Sequence, residues 1–567
     1  MKLNQSFPLK WLPKDLDFDD WKQLEPLFDE LEKSAATKDL RAWLQDWSEF
    51  ESAWNEESSR RYVAMTCDTE NAEKEKKYLH LETVIGPLGK PRWQTLKKLY
   101  LDHPKRKSLP RKLYGVMDRF IANEFDLYRE ENIALEAKDS ELRQKYQKIT
   151  GAMTVTFDGR EQTLQQLGRY LEENDRARRQ EVWELIVKRR LQDSAALEDL
   201  YDEMVKLRTQ IGRNAGFKDF RDYTFRAKGR FDYTPKHCHD FRKANEKSVA
   251  PALRRRHQRR KERLGVDVLR PWDLSVDPEG RPPLRPFRTM DELMDGCGRI
   301  FRKVHPDFGK MFDYIRSKGY LDLESRKGKA PGGYQTVFEV ERVPFIFSNS
   351  AGLHRDVETL LHEGGHSFHS LQCRHLDPRF NRDYPTEFAE VASMGMELLG
   401  QPYLEEFYPK KEADRARAGH LEDLLSTYTW VATIDAFQHW VYTDPDHSRV
   451  DRKNAWLDLK RRLGGGEDWT GYEEALAYNW HRQLHLFTVP FYYIEYGIAQ
   501  TGALQVWRNA KKDRKKAIAK YREGESLGWT RSLPELFRAA GLRFDFSEKT
   551  IGPLIQTALV DLEKMDA

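Results

Sequence analysis

The chain has 567 residues, 39% hydrophobic and 33% charged, enough for a large core and, on length alone, for more than one structural lobe. Lys plus Arg (96) nearly balance Asp plus Glu (92) for a net of +4, so no global field argues for a polyanionic partner. Cys67, Cys238, Cys297 and Cys373 are scattered without a C-x-x-C pair, which excludes a disulfide framework and points to a reducing compartment.

The first ten residues, Met1-Lys-Leu-Asn-Gln-Ser-Phe-Pro-Leu-Lys10, lack the apolar stretch of a signal peptide, and no run of about 18 apolar residues occurs anywhere. The expectation is a soluble, cytoplasmic protein with no membrane partner. From about 18 to 205 the pattern is one of charged, periodic helices such as Glu181–Leu191, interrupted by Met153-Thr-Val-Thr-Phe-Asp-Gly159, whose alternation and Asp-Gly pair predict a hairpin. Long helices continue to about 265. They include Arg254-Arg-Arg-His-Gln-Arg-Arg-Lys-Glu-Arg263, which lacks interleaved aromatics and reads as the exposed face of a helix rather than a nucleic-acid site. His237-Cys-His239 has no matching second pair and reads as structural.

After a proline-rich connector at 270–286, the apolar run Val343-Pro-Phe-Ile-Phe-Ser-Asn349 predicts a strand. As a sheet edge it would bind an extended peptide through main-chain groups. Next comes Asp356-Val-Glu-Thr-Leu-Leu-His-Glu-Gly-Gly-His-Ser-Phe-His369, with His362, Glu363 and His366 in the H-E-x-x-H spacing. On a helix, residues four apart share a face, so both imidazoles reach one zinc while Glu363 sits beside the water. Val357, Leu360, Leu361, Phe368 and Leu371 form the buried stripe, with Asp356 as N-cap. Gly364 and Gly365 each cost about 1 kcal/mol in a helix, which makes sense where something approaches the backbone closely.

His369 and Gln372 stand where the metzincin pattern needs Gly and His. His369 lies about 10 Å along the axis from His362, too far to share one ion, and reads as a supporting or packed histidine. The third ligand must be a carboxylate from the amphipathic segment Thr386–Leu399, where Glu387, Glu390 and Glu397 share roughly one face. Spacing does not choose among them. No G-x-S-x-G elbow and no cysteine protease motif is present.

The run His362–His369, followed by Phe388-Ala-Glu-Val-Ala-Ser393, resembles the oligoendopeptidase F and thimet oligopeptidase family of zinc metallopeptidases, whose pattern is H-E-x-G-H-x-x-H with F-x-E-x-x-S downstream. Gly328-Lys-Ala-Pro-Gly-Gly-Tyr334, the strand after it, and Asn214–Tyr223 are similar to family segments as well. Trp480-His-Arg-Gln-Leu-His485 resembles the W-x-R-x-x-H segment of oligoendopeptidase F, followed by Pro490-Phe-Tyr-Tyr-Ile-Glu-Tyr496. The resemblance covers roughly residues 115–560. It implies one zinc held by His362, His366 and Glu390, with Glu363 as general base. It further implies that His485, Tyr493 and Tyr496 stabilise the oxyanion, with Tyr492 as the alternative tyrosine. The implied fold is a mainly α, two-lobed metallopeptidase with a deep substrate channel and a small sheet beside the zinc helix. Its lobes are expected at 1–205 (helical) and 206–567 (catalytic), and its substrates are short oligopeptides. The alternatives are a catalytically silent peptide-binding protein of the same fold and a nucleic-acid binder using the arginine cluster.

Overall fold

The computed structural model describes residues 3–566 apart from 327 and 331. Met1 and Lys2 of the N-terminal stretch and Pro331 of the glycine-rich turn therefore lie outside the described residues. The fold is mainly α, as the resemblance implies. No helix among the described residues is long and apolar enough to cross a membrane.

Two compact units form, each from three separate stretches: residues 1–126, 285–416 and 502–544 in the first, and 127–284, 417–501 and 545–567 in the second. These units are discontinuous in sequence, so they do not coincide with the expected division at 205/206, which falls inside the helix Ser194–Asn214. Side-chain pairing explains why. Arg208 is 1% exposed on that helix, and its Nε donates to Asp139 at 2.8 Å across the expected boundary.

The first unit has an aromatic core in which Phe28, Phe50, Trp54 and Trp93 meet edge to face or tilted. The helix Leu40–Cys67 starts at Asp39, whose carboxylate accepts from the Arg41 and Ala42 amides. This helix lies along a three-stranded sheet. Arg60 reaches Glu341 at 2.6 Å, and the Thr66 and Tyr334 hydroxyls are 2.6 Å apart. In the sheet Val343–Ser350 lies between Leu321–Glu324, its parallel neighbour, and Tyr334–Phe338, its antiparallel neighbour. The apolar strand is thus central, not an edge, and this corrects the sequence expectation. Its burial at nearly every position reflects cover on both faces, while its central place comes from pairing along both of its edges. The edges are Leu321–Glu324 and Tyr334–Phe338.

In the second unit a hairpin pairs Thr154–Phe157 with Arg160–Thr163. Asp158 and Gly159 both have positive φ, 52° and 70°, as a two-residue turn of matching twist requires. The basic helix Ala250–Leu264 spends much of its charge internally: Arg254 donates to the carbonyls of Gly464 and Arg462, Arg256 pairs with Glu422, and Arg260 donates to the Val276 carbonyl. The outward residues are Arg255, Gln258, Arg259, Glu262 and Arg263.

Candidate metal centre and active site

Two helices of the first unit, His354–Cys373 and Thr386–Gly400, build the centre. The first starts two residues before Asp356, so Asp356 is not its N-cap. It sits in the first turn and accepts from the amides of Ala351 (2.7 Å) and Leu353 (2.8 Å), satisfying donors that the helix start leaves orphaned. Gly364 and Gly365 are where the close approach happens. A Cβ on Gly365 would lie 2.6 Å from the Ala392 carbonyl oxygen and from Ser393 Cα, and one on Gly364 would lie 2.4 Å from the Phe301 ring. The two helices therefore touch backbone to backbone.

That approach brings three donors together. His362 Nε2 and His366 Nε2 are 3.2 Å apart and stand 3.3 and 3.6 Å from Glu390 Oε2. Ligands at about 2.0–2.2 Å from a tetrahedral ion are separated by about 3.3–3.6 Å, so the three atoms fit the corners of one zinc site. Of the three glutamates left open by spacing, Glu390 is the one in this cluster. Glu397 lies 2.6 Å from His362 Nδ1, placed to accept the Nδ1 proton and so leave Nε2 to a metal that displaces the other proton. Ser393 Oγ donates to Glu390 Oε2 at 3.0 Å. Sequence reasoning weighed Glu397 only as a rival ligand; its spacing of seven from Glu390 was the signal for a carboxylate one face-length away. Glu387 is buried on the same helix but outside the cluster.

The charges are consistent with a cation site. Burial disfavours the charged His362 ring, but hydrogen bonds to Glu390 and Glu397 override it and hold the ring well above the usual histidine range. Burial takes His366 down to about 4. Against the effect of burial, His366 and His362 bring Glu390 down to about 2. Burial raises Glu363 to about 7, with the Glu390 and Glu397 charges adding to it and His362 opposing. The backbone just before the edge strand passes close to the Glu363 carboxylate, a Cβ on Gly333 falling 3.9 Å from Oε1. His369 is fully buried and stacks on Tyr384 at 3.7 Å, with neither ring nitrogen hydrogen-bonded. It is a packed histidine.

In the second unit, His485 is half-buried, with ring centroids of Tyr493, Tyr492 and Tyr496 at 4.8, 5.7 and 6.0 Å. Gln483, which sequence reasoning missed, organises them. Its Oε1 accepts from Trp430 Nε1 at 2.8 Å and from the Tyr493 hydroxyl at 2.9 Å. The indole is donor-only, which fixes the amide orientation, so Nε2 donates to His485 Nδ1 at 2.8 Å. His485 then carries its proton on Nε2, and burial, aided by Lys228, holds it below the ordinary histidine range. The result is a neutral imidazole with an outward N–H donor. A further buried group, Cys238, Asp435 and His439, also lies within ligating reach. There Arg242 already pairs with Asp435 at 3.2 Å, which supports a structural role.

Comparison with known proteins agrees with this geometry. The model of peptidase family M3 matches residues 169–552. The chain belongs to peptidase family M3. Among curated relatives of this M3 chain, the oligoendopeptidase F homolog of Borreliella burgdorferi is 22% identical over 48% of this chain and 46% of its own length. Oligopeptidase PepF of Bacillus subtilis is 24% identical over 52% and 43%. The match thus spans a little under half the length of these relatives. Solved structures match more fully. PZ peptidase A with an inhibitor has a TM-score of 0.89 at 26% identity, over 98% of this chain and 99% of its own. A structure assigned to oligoendopeptidase F has a TM-score of 0.89 at 28% identity with the same coverage. The resemblance to oligoendopeptidase F seen in the motifs is borne out.

Proposed function

We propose that the chain is a zinc-dependent endopeptidase that hydrolyses short oligopeptides, with Glu363 as general base. The convergence of His362, His366 and Glu390 behind an orienting Glu397 carries this reading. Bound there, zinc supplies Lewis acidity toward a water and a carbonyl oxygen. Glu363 takes the proton of the attacking water and delivers it to the leaving amine, a task suited to a carboxyl poised near neutrality. His485, through Nε2–H, and a tyrosine hydroxyl donate to the oxyanion. Tyr493 and Tyr496 are the candidates, with Tyr492 as the alternative, and the Tyr493 hydroxyl is positioned by its bond to Gln483. The edge strand Tyr334–Phe338, rather than the central strand, is the one that takes the extended peptide. The absence of any disulfide among the four cysteines supports residence in the cytoplasm.

The test is metal analysis joined to mass spectrometry of cleaved peptide libraries. We expect one zinc per chain, lost in Glu390→Ala. Glu363→Gln is expected to retain zinc and lose about 10²–10⁴ in turnover. A metal-loaded wild type that binds peptides and cleaves none would support the silent peptide-binding alternative.

A further inference from the structure

A cavity of about 310 Å³ in the first unit is lined by the strand Tyr334–Phe338. Gln335 and Val337 belong to one face of that strand and Thr336 to the other, yet all three line the cavity, so it follows the strand's open edge. The opposite wall is cationic. Arg342, Arg374, Arg379 and Arg382 line it, against Glu339 and Asp383.

Four carboxylates, Glu51, Glu339, Asp377 and Asp383, serve these guanidinium groups unevenly, and Arg374 is left without one. Arg382 pairs with Glu339 at 3.1 Å and with Asp377 at 3.0 Å, and Arg342 shares Asp377 at 2.8 Å. Arg379 stands 3.9 Å from both Glu339 and Asp383. Arg374 is 4% exposed, has no carboxylate at ion-pair distance among the described residues, donates to the carbonyls of Leu3, Gln5 and Glu341, and lies beside the Phe7 and Tyr314 rings. Carbonyls orient a cation without cancelling its charge. The Nε atoms of Arg374 and Arg379 are buried without a hydrogen-bond partner. Burial, and after it the neighbouring Arg382, push Arg342 down to about 10, with Asp377 opposing.

We propose that this cavity is a carboxylate-binding subsite for the peptide substrate, taking either an acidic side chain or the C-terminal carboxylate. The inference rests on the peptidase reading. Gly333 passes beside Glu363, and at about 3.3 Å per residue the cavity-lining positions 335–337 lie about 7–13 Å farther along the strand. A peptide laid on that edge places a group two to four residues from the cleaved bond against the arginines. Planar guanidinium forks match a carboxylate and reject its amide, which leaves their donors unpaired.

The experiment uses one peptide core carrying Glu or Gln at each of those positions, with a free or amidated C-terminus. Hydrolysis is measured with the zinc-loaded wild type, and binding by calorimetry with zinc-loaded Glu363→Gln. We expect a preference for one carboxylate of about tenfold or more, expressed in KM and repeated in Kd. The Glu/Gln and acid/amide arms identify its source. In Arg379→Gln and in Arg342→Gln the ratio should fall to within about twofold of unity. Should both unfold, the near-isosteric Asn55→Asp, which adds a negative charge to the same lining, should still reduce it. A wild-type ratio near one in both assays, or a ratio that survives in the folded variants, overturns the subsite. A binding preference without any hydrolysis overturns the peptidase reading and keeps the subsite.

Discussion

At the scale of single residues, the proposed metal centre depends on groups outside its ligand set. Glu397 holds His362 Nδ1 at 2.6 Å, and an amide in its place gives a weaker acceptor that no longer favours the required ring orientation. Glu397→Gln should keep the fold and lower zinc affinity by about 10–100-fold, read by competition with a chelator of known affinity. Undiminished affinity would show that Glu397 plays no part in orienting the ring. Gln483 is the corresponding positioning residue for His485. Gln483→Leu removes the donor to Nδ1 and the acceptor for Tyr493, so His485 loses the bond that places its proton on Nε2. The expected result is a kcat reduced by about tenfold or more with KM little changed, and a His485 pKa that moves by nuclear magnetic resonance. A KM effect alone would count against oxyanion donation by this histidine.

At the scale of elements, the glycine pair decides whether the two ligand-bearing helices meet. Gly365→Ala forces a Cβ to within 2.6 Å of backbone on the facing helix, and backbone gives way less easily than a side chain. Destabilisation of about 1–3 kcal/mol or more is expected, together with zinc loss as Glu390 is pushed off His362 and His366. Gly115→Ala serves as control, since the nearest atom to its new Cβ is 3.9 Å away and helix propensity favours alanine by about 1 kcal/mol. Thermal melts and zinc titration separate the two outcomes. Equal effects would mean that the helix contact is not what the glycines serve. The sequence made this much legible because His362, Glu363, His366 and the two glycines sit within one helical segment, where spacing translates directly into geometry. It misplaced Asp356 by three residues, because a carboxylate can cap a helix from its first turn as well as from before it. It took Val343–Ser350 for an edge, because burial on both faces says nothing about which neighbours a strand has. Gln483 was invisible, since its role comes from Trp430 and Tyr493, residues 53 and 10 positions away.

At the scale of the whole molecule, periodicity gave no warning that each compact unit gathers three stretches of chain. A division at 205/206 separates partners within both units. In the second, it parts Arg208 from Asp139, and Arg452 from Glu198, charges that are 1–2% and 7–9% exposed. It also parts Tyr146 from Phe487, stacked at 4.1 Å. In the first, it parts Ser52 from Arg382 at 2.8 Å and Thr66 from Tyr334 at 2.6 Å. Leaving one buried charge unpaired costs about 3–5 kcal/mol, and two such losses rival the whole stability of a typical domain, about 5–15 kcal/mol. The fragment 206–567, although it contains every proposed ligand and catalytic group, should therefore show no sharp thermal transition and should be digested rapidly by trypsin. Supplying 1–205 in the same cell should restore a cooperative melt and zinc binding, because the missing partners return without the peptide link. A fragment 206–567 that melts cooperatively alone and holds zinc would show that the catalytic part is contiguous after all, and that the pairs crossing residue 205 contribute little to its folding.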